Sequence, residues 1–154
     1  MGRKKDFTTM AGKLTKSKQR VKEFGEVFTP IWVVNEMLDE LEKESDAFSD
    51  VGKTFLEPTC GTGNFVVEIY RRKLNRAKND REKAETALRS VWCIELLEDN
   101  MAECRQRVKD IFAYYGWTNL PFEEVFEKQF LIGDSLAIQK RWAEEERLKQ
   151  PPLF

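Results

Sequence analysis

The stretch from Lys53 to Phe65 constrains the fold of this chain more than any other. Lys53-Thr54-Phe55-Leu56-Glu57 reads as a short strand stopped by Pro58. A turn, Thr59-Cys60-Gly61-Thr62-Gly63-Asn64, then opens a helix carrying Phe65, Val66, Ile69, Tyr70 and Leu74 at helical spacing. The same alternation follows downstream. Ser90 to Leu96 is a second strand, apolar enough for a buried parallel position. A helix follows, with Met101, Cys104, Val108, Ile111, Phe112 and Tyr115 on one face. Residues 116–128 read as irregular or a short helix, Gln129 to Asp134 as a third strand, and Lys140 to Leu148 as a charged helix. Strand, helix, strand, helix, strand is a βαβαβ unit, so the expected class is α/β with a partial parallel sheet flanked by helices.

Upstream, Gly25-Glu26-Val27-Phe28-Thr29-Pro30 reads as a loop entering a helix, with Thr29 as N-cap and Pro30 at a tolerated position. Val34, Met37, Leu38 and Leu41 give that helix one apolar stripe, and residues 45–52 read as a linker. The first 22 residues hold eight basic side chains and one acid, Asp6, with few large apolar groups. They are expected to form a flexible basic arm, either simply solvated or tracking phosphates. A second basic run, Arg71 to Arg89, reads as an exposed helical face. The domain proper is then 23–149, with a tail at 150–154.

Composition removes several classes of function. The chain has no histidine, which excludes Ser-His-Asp and Cys-His catalysis and imidazole-bound zinc. Cys60, Cys93 and Cys104 are odd in number and never CxxC-spaced, so neither a disulfide framework nor a zinc site is expected. No apolar run approaches the roughly 20 residues of a membrane helix, which points to a soluble, intracellular protein. Net charge is −1, against a uniformly basic nucleic-acid coat.

Ligands of doubly wound sheets bind beyond the carboxyl ends of the strands. Gly61 and Gly63 there allow close backbone approach, and the following helix start favours an anion. The full GxGxxG pattern is absent, because Val66 stands at the third glycine's place, and so is the Walker pattern. Glu95, ending the second strand, is placed to accept both hydroxyls of a ribose, or is a solvated strand-end acid. Asp134, ending the third, is placed to accept from an adenine amino group, or is a helix cap in Gly-Asp-Ser. Together these features suit an adenosine ligand with a charged tail, and S-adenosylmethionine better than a nicotinamide dinucleotide.

Four segments resemble, in order and spacing over residues 25–136, the DNA adenine-N6 methyltransferases that use S-adenosylmethionine. Phe55-Leu56-Glu57-Pro58-Thr59-Cys60-Gly61-Thr62-Gly63-Asn64-Phe65 resembles their cofactor loop, with Glu57 for the usual Asp and Thr59 for the usual Ala. Gly25 to Pro30 is similar to the segment covering the cofactor, Glu95-Leu96-Leu97 to the ribose-binding acid with its apolar neighbour, and Gly133-Asp134-Ser135-Leu136 to the adenine-contacting acid. The resemblance implies a Rossmann-like class I methyltransferase core. It implies that Phe28, Thr29 and Pro30 line the cofactor and that Glu57 holds the methionine ammonium. Thr59, Gly61, Gly63 and Asn64 would shape the loop, Glu95 and Leu96 would hold the ribose, and Asp134 the adenine. It further implies DNA as partner and the cytoplasm of a bacterial or phage-infected host. The basic opening is similar to short phage and prophage proteins of this kind.

The departure lies at the end. The family's Asn/Asp/Ser-Pro-Pro-Tyr/Phe motif has only Gln150-Pro151-Pro152-Leu153-Phe154 as counterpart, so Gln150, Pro151, Pro152 and Phe154 are weak catalytic candidates. The same residues resemble a Gln-x-x-Leu-Phe peptide that docks on the bacterial sliding clamp. The length suffices for the cofactor half of a methyltransferase and is short by the half that orients the base. Two readings therefore stand: a DNA methyltransferase, minimal or completed by a second chain or a homodimer, and an inactive S-adenosylmethionine-binding or interaction module. A small-molecule or protein methyltransferase is a third.

Overall fold

The structure, a computed structural model, describes residues 14–150. It is α/β: three parallel strands in the order β1-β2-β3, with seven helices around them among the described residues. The strands are β1 (Phe55–Glu57), β2 (Val91–Glu95) and β3 (Phe130–Ile132). The helices are α1 (Lys18–Phe24), α2 (Ile31–Glu44), α3 (Asn64–Ala77), α4 (Arg81–Leu88), α5 (Glu98–Tyr114), α6 (Phe122–Gln129) and α7 (Ser135–Lys149). Phe55 pairs with Val91, and Cys93 with Phe130, so β2 is central and β1 and β3 are edges. Parallel neighbours need crossover connections, which α3–α4 and α5–α6 supply. No helix among the described residues is long and apolar enough to cross a membrane.

Residues of one parity along a strand share a sheet face. Val91, Cys93 and Phe130 bury into one cluster with Val66, Tyr70 and Leu74 of α3 and Met101, Cys104, Val108 and Phe112 of α5. Burying each large apolar side chain contributes about 1.5–3 kcal/mol. The Tyr70 ring packs edge-on against Phe112, and its hydroxyl donates to the Leu88 carbonyl at 2.9 Å. On the opposite face Trp92 meets Trp142 of α7 edge-on at 5.8 Å, while Leu56 on β1 is 44% exposed.

Several boundaries differ from expectation. β1 starts at Phe55 rather than Lys53, because its partner strand begins only at Val91. Thr29 is not the cap of α2: Pro30 holds that position and no side chain caps the helix. Met37 and Leu41, expected in the stripe with Val34 and Leu38, are exposed. The basic run 71–89 is two helices, broken at Lys78, whose φ is +54°. Nor is it an outer face throughout. Arg72 is buried among Asp39, Glu42 and Glu68, and Lys73 is fully buried. The end of the arm, expected to be flexible to residue 22, forms with the next two residues the helix Lys18–Phe24, which has no buried residue and is held by charge: Lys16 pairs with Asp99 and Glu103, and Arg20 with Asp99 and Glu26. Those two cations are therefore engaged by acids of the same chain.

The Lys73 ammonium donates to the Val51 carbonyl at 2.8 Å and to Lys53's at 2.6 Å, over the Phe55 ring. Burial pushes it down to about 8 from 10.5, with the pull of Asp50 offsetting only part. The unfolded chain thus binds more protons than the folded one between those values, and stability should rise with pH across that window. Urea titrations from pH 7.5 to 10.5 should show this rise, and Lys73→Met should flatten it.

Candidate functional site

The carboxyl ends of the three strands open into a cavity of about 480 Å³. Its wall includes Phe28, Thr29, Glu57, Thr59, Gly61, Asn64, Glu95, Leu96 and Asp134. The structure thus brings together nine of the eleven binding positions expected from sequence. Pro30 and Gly63 are not in the wall. Pro30 ends the covering segment at the start of α2. Gly63 faces inward, where a Cβ would sit 2.7 Å from the Cys104 sulfur, at a φ of +96°. Gln150 is also absent from the wall: it follows α7, a helix of 15 residues spanning about 22 Å that begins at the cavity and leaves it. Pro151, Pro152 and Phe154 lie outside the described residues, as does the rest of the tail motif.

Each acid has one oxygen committed locally. Glu57 accepts from the Thr59 amide at 3.0 Å, Glu95 from the Leu97 amide at 3.1 Å, and Asp134 from the Ala137 amide at 2.8 Å. Asp134 is therefore both the cap of α7 and part of the wall, so the two readings of it are compatible. These amide bonds fix each side chain at the wall through one oxygen. Burial pushes the Glu57 carboxyl above the usual glutamate range, against the opposing Thr59 bonds.

The covering segment, Gly25 to Pro30, and the residues just before it are strapped to the rest. Asn64 donates to the Thr29 carbonyl at 2.8 Å and accepts from Arg107 of α5 at 2.8 Å. The Phe28 ring lies over the glycine loop, where a Cβ on Gly61 would meet it at 3.1 Å. Glu26 accepts from Arg20 at 2.9 Å and from Asn100 at 2.6 Å.

Sequence reasoning missed Glu26 and Asn100 as wall residues. Each keeps a buried side-chain oxygen without a partner, Glu26 Oε1 and Asn100 Oδ1. A buried acceptor left unpaired costs about 1–3 kcal/mol, so both are suited to donors from an occupant. The wall therefore carries four carboxylates, at Glu26, Glu57, Glu95 and Asp134, and no lysine or arginine among the described residues. The first turn of α3 has no side-chain cap, so its N–H groups are available to an anion beside Asn64 and Phe65.

Spacing also gave no sign that three cysteines meet. The sulfurs of Cys60, Cys93 and Cys104 all lie within 4.8 Å of one another, buried behind the glycine loop. The Cys60 thiol donates to the Gly61 carbonyl at 3.7 Å.

No protein-family model, curated protein or solved structure matches the chain. The site's reading therefore rests on its own geometry and on the motifs quoted above.

Gly63 is the position that tolerates least. Gly63→Ala should cost about 2–4 kcal/mol in urea denaturation, from backbone strain and the clash with Cys104. Cys104→Ala in the same background should recover part of that loss.

Proposed function

We propose that the cavity binds S-adenosylmethionine and that the chain is the cofactor half of a Rossmann-like DNA adenine-N6 methyltransferase. The observation that carries the reading is the charge of the wall: four carboxylates and, among the described residues, no cation. Such a wall repels the phosphates of ATP or a dinucleotide and suits an adenosine bearing a sulfonium and an ammonium. The acceptors of the wall and the free amides of α3 suit the parts of that ligand. Glu95 is placed for the ribose hydroxyls, Asp134 for the adenine amino group, and Glu57 for the ammonium. The open first turn of α3 suits the carboxylate, and the exposed Leu96 offers an apolar surface to the adenine. Glu26 and Asn100 supply two further acceptors for ligand donors.

Bound there, S-adenosylmethionine supplies an electrophilic methyl group on sulfur. The chain's own contribution is to orient it: the strap with Phe28 excludes water from above, and the strand-end acids fix the adenosine. Among the described residues the wall holds no Asn-Pro-Pro-aromatic element to accept the target amine's hydrogens and stack on its base. β1 has a free outer edge among the described residues, with Leu56 exposed beside it. The family resemblance sets the base-binding strand on that side, so a partner polypeptide or a second copy docking at β1 would complete the enzyme. An unpaired edge strand readily recruits such a partner.

Transfer of labelled methyl groups to adenine N6 of DNA tests the catalytic half of this proposal. Transfer is expected once a polypeptide carrying the Asn-Pro-Pro-aromatic element is added. S-adenosylmethionine binding without transfer under any such condition would leave the inactive module instead.

A pH test follows from Glu57. Its carboxyl is raised in the free protein and must be ionised to hold an ammonium, so binding favours the deprotonated form. Affinity should therefore weaken as pH falls through the range where Glu57 protonates. Glu57→Gln should lower affinity at neutral pH and remove that dependence.

A further inference from the structure

The geometry points to a second site behind the glycine loop: a three-thiolate nest for a thiophilic divalent metal ion of the zinc class, made by Cys60, Cys93 and Cys104. The sulfurs come from three separate elements. Cys60 belongs to the glycine loop, Cys93 to the central strand β2 and Cys104 to α5. All three lie within 4.8 Å of one another. Three sulfurs bound trigonally at the usual zinc–sulfur distance of about 2.3 Å would stand about 4 Å apart, so closing on an ion requires only small side-chain adjustments. Cys93 and Cys104 are fully buried, whereas Cys60 forms part of the cavity wall and gives an ion access.

Charge fits a divalent ion. Three thiolates with a 2+ ion leave one net negative charge, which would be costly if buried alone. Arg107, next to the nest, carries the compensating charge. It is fixed by donating to the Thr62 carbonyl at 2.8 Å and to Asn64 Oδ1 at 2.8 Å, and its field acts directly on Cys104. A monovalent ion would leave an excess of negative charge. The charge of Glu57 on β1 acts on Cys93 and Cys104 and works against any further anion there. An ion in this position would tie the glycine loop, the central strand and α5 together at the point where Gly63 already presses on Cys104.

The test uses the full chain, reduced and metal-free, titrated anaerobically with cobalt(II). The expected result is one equivalent bound, with a sulfur-to-cobalt charge-transfer band that zinc abolishes and that Cys93→Ser and Cys104→Ser both lose. Absence of the band would overturn the proposal and leave the thiols as core packing. So would a band that survives in both variants, since the ion would then lie elsewhere. Should the variants fail to fold by circular dichroism, X-ray absorption of the zinc-loaded wild-type chain decides. Three sulfur neighbours support the site, and fewer overturn it. None of these readouts depends on S-adenosylmethionine, so the proposal stands or falls apart from the cavity's function.

Discussion

The site depends on the close approach of α5 to the glycine loop. Gly63 packs against Cys104 with no room for a Cβ, and Arg107, on the same helix, donates to Thr62 and Asn64 of that loop. This contact fixes the start of α3 and with it the uncapped first turn that opens on the cavity. It also sets α5 so that Asp99 and Asn100 reach the strap, through Lys16, Arg20 and Glu26. Loosening one approach would thus disturb the floor and the cover of the cavity together. Glycine is required at 63 for the contact and for the backbone torsion at once.

The parallel sheet does the rest with little material. β2 and β3 end level with each other and β1 two residues earlier, and each strand contributes an acid at or just beyond its end. A backbone amide two or three residues on ties down one oxygen of each acid, so the carboxylates are held before any ligand arrives. Burying a carboxylate in such a wall costs solvation energy, in keeping with the upward shift of the Glu57 carboxyl. Such a wall is complementary to positive charge, and this separates the proposed ligand from phosphate-bearing adenosines better than the fold does.

Much of this was legible in the sequence because the decisive signals are local. The strand–turn–helix at 55–65, the apolar face of α5 and the acids closing the strands were each readable from spacing alone. What was not legible depends on partners far along the chain. Arg72 and Lys73 looked like solvated surface because nothing near them in sequence announces Asp39, Glu42 or the carbonyls of Val51 and Lys53. The helix within the basic arm is held by acids some eighty residues away, so its composition alone suggested no structure. The meeting of Cys60, Cys93 and Cys104 follows from strand order and helix packing, which cysteine spacing does not encode. β1 read two residues too long for a comparable reason, since the start of its partner sets its length. The glycine turn and the acids at the strand ends pointed to where the cavity lies, but Glu26 and Asn100 needed the three-dimensional arrangement.

The central claim is that an acidic cavity at the strand ends selects a cationic adenosine. Isothermal calorimetry with S-adenosylmethionine, ATP and NAD in parallel tests it most directly. The account expects a one-to-one isotherm for S-adenosylmethionine, weakened at least about tenfold by Glu95→Ala in a folded protein, and no heat of binding for the two phosphate-bearing ligands. Tighter binding of ATP or NAD than of S-adenosylmethionine, or an isotherm indifferent to Glu95, would contradict it.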